Sequence, residues 1–226
     1  MPALAALEDY CKTLDRYYGP APAGADFASP FAAALAAVVG RDVLDKVLQN
    51  LAAVLPDITP ASVWSLPPAR LAEALRPAGF APARAKRLRA LLAWLAGQAA
   101  TETPPASSSL EFLNGASPAR LRDSLLEVRG LGPESVDFFL LHALDLPFFA
   151  ASAQAYRLLR RHGFVGAEAE YSEIQDLFRN ALPEDTALYR RCRLHLERLG
   201  AEFCRKAAPR CATCPLKAYM EYEPCD

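Results

Sequence analysis

Apolar residues recur three or four positions apart over most of the chain, which is the spacing of one face of an α-helix. The first such stripe predicts a helix from Leu4 to Tyr17, and a second amphipathic pattern runs from Asp42 to Val54. Prolines indicate further helix starts at Ser29-Pro30, Thr59-Pro60 and Pro67-Pro68. The alternating Val, Ile and Thr pattern of strands is scarce, so the sequence predicts an all-α fold.

One short pattern occurs twice, as Pro68-Ala-Arg-Leu71 and again as Pro118-Ala-Arg-Leu121. Each copy opens a predicted helix that ends in a glycine turn and leads into a second helix. Whether the two copies reflect duplication or chance stays open, because the chain is rich in Ala and Arg. The stretch Thr101–Ser109 between them is rich in Pro and Ser, and it predicts an exposed loop within one domain.

The second glycine turn, Gly130-Leu131-Gly132-Pro133, has the chemistry of a phosphate contact. Glycine permits a positive φ and removes the Cβ atom, so backbone N–H groups at the start of the next helix can approach a phosphate. Together with Arg129, these residues form the candidate DNA-binding set. Such a contact carries no sequence information, since it is made to the DNA backbone. An ordinary helix C-cap followed by a new helix remains the alternative.

Composition adds little evidence for a nucleic-acid partner, because the 226 residues carry a net charge of only −1. Any DNA-binding surface must therefore come from local clusters of Arg and Lys, which can equally be solvated helix faces. No apolar run is long enough to cross a membrane, and no signal-peptide pattern precedes the first helix. We expect a soluble, monomeric protein of the cytoplasm, associated with the nucleoid and without a membrane partner.

Four of the six cysteines crowd the C-terminus with the spacing C-x6-C-x2-C-x10-C, at Cys204, Cys211, Cys214 and Cys225. Four thiolates can hold a tetrahedral zinc ion or a [4Fe-4S] cluster. Zinc ribbons usually pair two short knuckles, whereas this segment has one, so the pattern favours iron–sulfur. The other two, Cys11 and Cys192, are predicted to be small core residues, and no disulfide framework is expected.

The hairpin and the cysteine tail together resemble endonuclease III and the helix-hairpin-helix DNA glycosylases that carry a C-terminal [4Fe-4S] cluster. Similarity extends over nearly the whole chain, including the segments Phe27–Phe31, Gly79–Leu92 and Leu126–Gly163. The resemblance implies a protein that bends double-stranded DNA, extrudes a damaged base and cleaves its N-glycosidic bond. It also implies a catalytic aspartate beyond the hairpin and, in bifunctional members, a lysine that forms a Schiff base.

This chain departs from the family pattern at the positions that carry the chemistry. Glu134 stands at the lysine position, so no β-lyase reaction is expected, and Ser152 stands at the aspartate position. Shifting the alignment finds no other carboxylate between Leu146 and Glu168. The segment Val38–Asp42 is short and lacks the glutamine that fills the gap left by a flipped base. Cys225 comes later than the last cysteine of the family.

The resemblance implies two domains. A six-helix barrel is expected over residues 27–147, with the helix-hairpin-helix motif at about 118–145. The iron–sulfur domain is expected to combine residues 1–26 with residues 148–226.

Two functional hypotheses compete, and the missing aspartate favours the first. The first is a DNA-binding protein of base-excision repair with an altered, inactive site. The second is a monofunctional glycosylase that uses Glu134 or Asp137 on an easily released base, such as a cationic alkylpurine. A third interpretation, an unrelated helical zinc protein, has the least support.

Overall fold

The computed structural model describes residues 2–20 and 27–220, and these residues form helices and turns without a strand. In chain order the α-helices of this part are α1 (Pro2–Tyr18), α2 (Pro30–Val39), α3 (Leu44–Ala52), α4 (Pro60–Ser65), α5 (Pro68–Ala74), α6 (Ala81–Gln98), α7 (Pro118–Leu126), α8 (Pro133–Ala143), α9 (Ala153–Arg161), α10 (Tyr171–Ala181) and α11 (Thr186–Glu202). Short 3₁₀ helices lie at Arg41–Val43, Arg76–Ala78, Glu111–Leu113, Cys211–Thr213 and Lys217–Tyr219. The all-α prediction is confirmed.

The helix starts follow the local capping rules at two of the predicted sites. The Ser29 hydroxyl accepts the N–H of Ala32 at 3.1 Å, which caps α2. Thr59 and Ser62 cap α4 reciprocally: the Thr59 hydroxyl accepts the Ser62 N–H at 3.2 Å, and the Ser62 hydroxyl accepts the Thr59 N–H at 2.9 Å. Helix α7 also begins as predicted, although the Ser117 side chain makes no capping hydrogen bond.

The second amphipathic pattern folds into less helix than its periodicity predicts. A 3₁₀ turn at Arg41–Val43 precedes α3, and α3 ends at Ala52, so the predicted helix from Asp42 to Val54 is divided and shortened. Gly40, with a φ of 96°, ends α2 and turns the chain directly before this 3₁₀ turn.

The chain divides into two compact units, of which one is Asp26–Leu146. In this unit α2 packs mainly against α8, and nearly all its residues are buried. Helices α5 and α6 pack together, as do α7 and α8, so each copy of the repeated pattern is a helical hairpin. The Thr101–Ser109 segment is irregular, as predicted, and its Ser108 carbonyl accepts the N–H of Phe31 at 3.1 Å.

The other unit comprises Met1–Ala25 and Pro147–Asp226. Helix α1 packs against α10 and α11, and α9 packs against α11. Cys11 and Cys192 are both buried in this core, as expected of small core residues. The structure also joins them in a disulfide between α1 and α11, which the sequence did not predict. Close packing of the two helices brings the Cα atoms to 5.6 Å, within the range that a disulfide spans.

The described helices include no candidate membrane span. None of these helices is both long enough and apolar enough to cross a bilayer.

Candidate functional site

The predicted DNA-binding turn connects α7 to α8. Gly130 has a φ of 89°, in the left-handed region that favours glycine, and Gly132 is extended and serves as the N-cap of α8. Leu131 between them is buried, and its N–H donates to the Val128 carbonyl at 3.1 Å. The buried leucine therefore anchors the turn, while the two glycines on either side are exposed.

The side chain of Arg87 from α6 lies against this turn. A Cβ atom on Gly130 would lie 2.8 Å from Cγ of Arg87, whereas one on Gly132 would meet nothing within 4 Å. Gly130 is thus required for its backbone conformation and for the approach of Arg87. Arg87 and Arg129 are both exposed beside the N-terminus of α8. Positive charge, open backbone and a helix N-terminus together form a surface suited to an anion.

The first copy of the repeated pattern forms a second glycine turn, between α5 and α6. Gly79 has a φ of 67°, and Phe80 follows with a φ of 47°, which is unfavourable for a residue with a side chain. Phe80 is 87% exposed, although it is a large apolar residue. Arg84 fixes the turn because its guanidinium donates to the Gly79 carbonyl at 3.2 Å and also to the Val38 carbonyl.

The segment Val38–Asp42, which the resemblance aligns with the family's glutamine-containing loop, is a tight turn between α2 and a 3₁₀ helix. Helix α2 ends at Val39, Gly40 makes the reversal, and the Arg41 guanidinium lies 4.5 Å from the centroid of the Phe27 ring. The arginine is therefore engaged with an aromatic neighbour.

The two carboxylates near the hairpin have different environments. Asp137 is fully buried, and its two oxygens accept hydrogen bonds from Nε and Nη2 of Arg122 at 2.6 and 3.1 Å. Glu134 lies in the first turn of α8 and is half-exposed. A carboxylate there is favoured by the helix dipole. Asp137 thus has a structural partner, and Glu134 is the more accessible of the two.

Ser152 is buried and serves as the N-cap of α9. Its hydroxyl accepts the N–H of Ala155 at 3.2 Å, which is the ordinary use of a serine at this position. Because the hydroxyl is uncharged at neutral pH, it cannot supply the electrostatic stabilisation that a carboxylate would give at the same place.

The backbone that leads to Ser152 is held by three side chains. The Phe149 carbonyl accepts from Nε2 of Gln175 at 2.9 Å, and the Ala150 carbonyl accepts from the buried guanidinium of Arg193. The N–H of Ala151 donates to the Tyr171 hydroxyl at 3.3 Å. The backbone of Phe149, Ala150 and Ala151 is therefore fixed by side-chain hydrogen bonds directly before α9.

Three of the four candidate metal ligands lie around one small enclosed cavity. Cys204, Cys211 and Cys214 line it together with the apolar side chains of Leu158, Phe203 and Met220. Cys225, the fourth predicted ligand, lies outside the described residues. Within the described ranges no three His, Cys, Asp or Glu side chains are grouped as ligands of a single metal ion.

Electrostatics around this cavity disfavour a free thiolate at Cys214. Burial raises the pKa of the Cys214 thiol, and the neighbouring Cys204 and Cys211 raise it further. Burial also lowers the pKa of His162, another cavity residue, to about 4, so the imidazole is neutral at neutral pH. Bound iron would reverse the situation at the thiols, since a coordinated cation stabilises the thiolate. Three sulfur donors in an apolar pocket fit an iron–sulfur cluster.

Comparison with models of known protein families finds no match. Among curated proteins, the chain is 33% identical over 150 residues to a Methanocaldococcus jannaschii protein assigned by inference to the DNA repair glycosylases. That match covers 66% of this chain and 65% of the relative, so the chain spans slightly less than two thirds of that protein. It is also 23% identical over 198 residues to endonuclease III of Sulfolobus acidocaldarius, covering 85% of this chain and 82% of the relative.

Solved structures match over most of the chain. A trapped endonuclease III–DNA covalent intermediate superimposes with a TM-score of 0.73 at 20% identity, covering 94% of this chain and 93% of that one. A Helicobacter pylori 3-methyladenine DNA glycosylase bound to 1,N6-ethenoadenine gives a TM-score of 0.67 at 23% identity, covering 88% and 97%. The fold is that of the helix-hairpin-helix DNA glycosylases.

Several residues of the site were not singled out from the sequence. Arg87 is one of several basic residues close together in the sequence, and Phe80 follows the glycine of the first turn. The weak signal for Phe80 was its position directly after a turn glycine and before a helix with Pro in its first turn. Arg122 carried no signal, because its partner lies on another helix.

Proposed function

We propose that the protein binds double-stranded DNA, including damaged DNA, and acts in base-excision repair with an altered catalytic site. The fold and the similarity to DNA glycosylases support this role, and so does the hairpin, where Gly132 leaves the backbone open and Arg87 and Arg129 add positive charge. Binding is expected to be independent of sequence, because phosphates are the groups contacted.

The main support for an altered catalytic site is the uncharged side chain of Ser152. By the resemblance, Ser152 stands at the family's aspartate position, and its side chain is a buried hydroxyl that caps α9. Loss of the glycosidic bond develops positive charge on the sugar, and a fixed carboxylate stabilises that charge far better than a hydroxyl. We therefore expect weak or absent base excision on oxidised pyrimidines.

We also propose that the protein does not cleave the DNA strand, because Glu134 stands where bifunctional relatives have a lysine. A Schiff base forms when an amine attacks the aldehyde carbon of an abasic sugar and water leaves. A carboxylate has no nitrogen for this reaction. The protein is thus expected to leave abasic sites uncut.

We further propose a [4Fe-4S] cluster bound by Cys204, Cys211, Cys214 and Cys225. The shared cavity of the first three cysteines supports it, as does the central C-x2-C spacing. Such a cluster would supply a structural cross-link for a C-terminal segment with few apolar residues. Purified protein should be brown, with broad absorption near ~400 nm and about four irons per chain. Colourless protein with one zinc per chain would contradict the cluster.

A monofunctional glycosylase is the second candidate, and the accessibility of Glu134 favours it. Asp137 is engaged with Arg122, so a rewired enzyme would depend on the half-exposed Glu134. An easily released base, such as a cationic alkylpurine, would need the least help from a carboxylate.

Two assays on the purified protein separate these functions. DNA binding by fluorescence anisotropy is expected to persist on undamaged duplexes and to weaken steeply as salt rises, as phosphate contacts require. Release of bases is then measured on a panel of duplexes with oxidised, alkylated or deaminated lesions. Binding without release supports the proposal, whereas efficient release of an alkylated purine supports the second candidate.

A further inference from the structure

Arg161, in the last turn of α9, forms a hydrogen bond to a cysteine sulfur. Its Nη1 donates to Sγ of Cys204 at 3.3 Å and to the Arg205 carbonyl at 2.6 Å. Its Nη2 donates to the Lys206 carbonyl at 3.3 Å. Two backbone carbonyls thus hold the guanidinium beside the sulfur, which fixes the geometry of the N–H···S contact.

A second arginine holds the same cysteine by its backbone. Arg157, one turn earlier in α9, donates from Nε to the Cys204 carbonyl at 2.6 Å and from Nη2 to the Gly200 carbonyl at 3.3 Å. Placement of the Cys204 backbone therefore has an independent support. The contact that Arg161 adds, and Arg157 does not, is the one to the sulfur.

Charge distinguishes Arg161 from the other residues around the cavity. Among the described residues that line it, Arg161 alone carries a permanent positive charge. A guanidinium does not lose its proton at any pH a protein tolerates. A cluster with four thiolate ligands carries net negative charge, and hydrogen bonds to its sulfurs are among the factors that set its reduction potential.

We infer that Arg161 tunes the iron–sulfur cluster, by donating a charge-assisted hydrogen bond to the sulfur of Cys204. The inference rests on the cluster proposed above. The bond stabilises the sulfur as an iron ligand and favours the reduced cluster, which carries one more negative charge. Arg161 accordingly raises the reduction potential and slows the loss of iron.

The competing explanation is that Arg161 only fastens the loop after Cys204 through its two backbone acceptors. In that role Arg161 would affect folding, but the reduction potential of the cluster would not depend on the charge of residue 161. Three variants of the full chain discriminate between the two: Arg161→Gln, Arg161→Lys and the control Arg160→Gln. Arg160 is the exposed neighbour on the same helix.

The measurements are the cluster potential by protein-film voltammetry, the rate of iron loss to a chelator, and helicity by circular dichroism. Loss of one charge-assisted hydrogen bond corresponds to about a tenfold change in equilibrium or rate. For a one-electron couple this is a shift of about 59 mV. Arg161→Gln is expected to lower the potential by about this amount and to lose iron about tenfold faster, with unchanged helicity.

Arg161→Lys keeps the charge and is expected to fall between wild type and Arg161→Gln, while Arg160→Gln matches wild type. If Arg161→Gln folds but retains no cluster and Arg161→Lys does retain it, the inference is also supported. If Arg161→Gln and Arg160→Gln have the same potential and the same iron loss, the inference is wrong and the cluster stands. Wild-type protein that binds no iron would overturn both.

Discussion

The two oxygens of Asp137 accept two hydrogen bonds from one edge of the Arg122 guanidinium, at 2.6 and 3.1 Å. The carboxylate is fully buried, and the arginine side chain retains 24% of its exposure. This pair joins α7 to α8, the two helices of the hairpin. Asp137 is therefore a structural residue of the hairpin that contains the predicted DNA-binding turn.

Replacing Asp137 with Asn should destabilise the protein. Removing one partner of a buried ion pair leaves the other uncompensated, and the partial exposure of Arg122 moderates the cost to about 2–4 kcal/mol. The urea midpoint of unfolding measures the loss, with Asp123→Asn, an exposed change on α7, as the control. If Asp137→Asn is as stable as the control, the ion pair with Arg122 does not stabilise the hairpin and the structural role of Asp137 is contradicted.

How much of the molecule the sequence predicts depends on the range of the interaction. The caps at Ser29 and Thr59 are confirmed because each acts on a backbone N–H three residues away. Contacts of Arg87 with Gly130, and of Arg161 with Cys204, join distant positions and depend on packing between helices. Periodicity indicates which face of a helix is buried, but it does not indicate which side chain it meets.

The candidate site residues likewise fall into those that neighbouring sequence positions predict and those that depend on tertiary packing. The cysteine spacing predicted ligands that the structure brings to one cavity, since Cys204, Cys211 and Cys214 are close in sequence. The exposure of Phe80 could not be predicted, because an apolar residue after a turn is more often buried. The Cys11–Cys192 disulfide likewise depends on the packing of α1 on α11.

Wild-type protein should form no covalent adduct with abasic DNA in the presence of borohydride. Glu134 has no amine to form the imine that borohydride reduces. Glu134→Lys restores an amine at this position and is expected to give a detectable adduct on a denaturing gel. An adduct formed by the wild type and abolished by changing another lysine would reveal a relocated nucleophile.

The hairpin glycines should differ in what their substitution does. Gly132→Val is expected to leave the fold intact and to weaken DNA binding, because the added side chain enters open space that a phosphate would need. Gly130→Val should also lower stability, because the positive φ is strained and Arg87 must move. Binding is measured by anisotropy, with Gly166→Val, in an open position elsewhere, as the control. If folded Gly132→Val binds DNA with unchanged affinity, the turn is an ordinary helix cap and not a phosphate contact.

Phe80 should contribute to DNA binding through its exposed ring. Phe80 directly precedes α6, and Arg87, which lies against the hairpin turn, follows two turns later in the same helix, roughly 10 Å along its axis. Apolar side chains that enter a base stack are a common device of proteins that distort DNA. Phe80→Ala is expected to weaken binding to a gapped duplex, which lacks one nucleotide, by about 1–3 kcal/mol.

Stability should not fall in Phe80→Ala, because the ring is 87% exposed. Phe112→Ala, which removes another partly exposed ring of the same unit, is the matched control. Equal affinities of the two variants for gapped duplex would show that Phe80 makes no specific contact.

The central claim is that the carboxylate missing at Ser152 is what limits catalysis. Ser152→Asp tests it, because Asp caps a helix as well as Ser does and should leave α9 intact. A fixed charge at a developing cationic centre is worth roughly 10²–10³ in rate. Ser152→Asn has nearly the same shape and capping ability without the charge, so it is the matched control.

The most direct measurement is the single-turnover rate of base release from lesion-containing duplexes by wild type, Ser152→Asp and Ser152→Asn. We predict that Ser152→Asp releases a damaged base at least about tenfold faster than the other two proteins. This gain is smaller than the full effect of the charge, because base flipping is more costly without the family's glutamine-containing loop. Robust release by wild type that is indifferent to Ser152 and abolished by Glu134→Gln would contradict the account and establish a rewired enzyme.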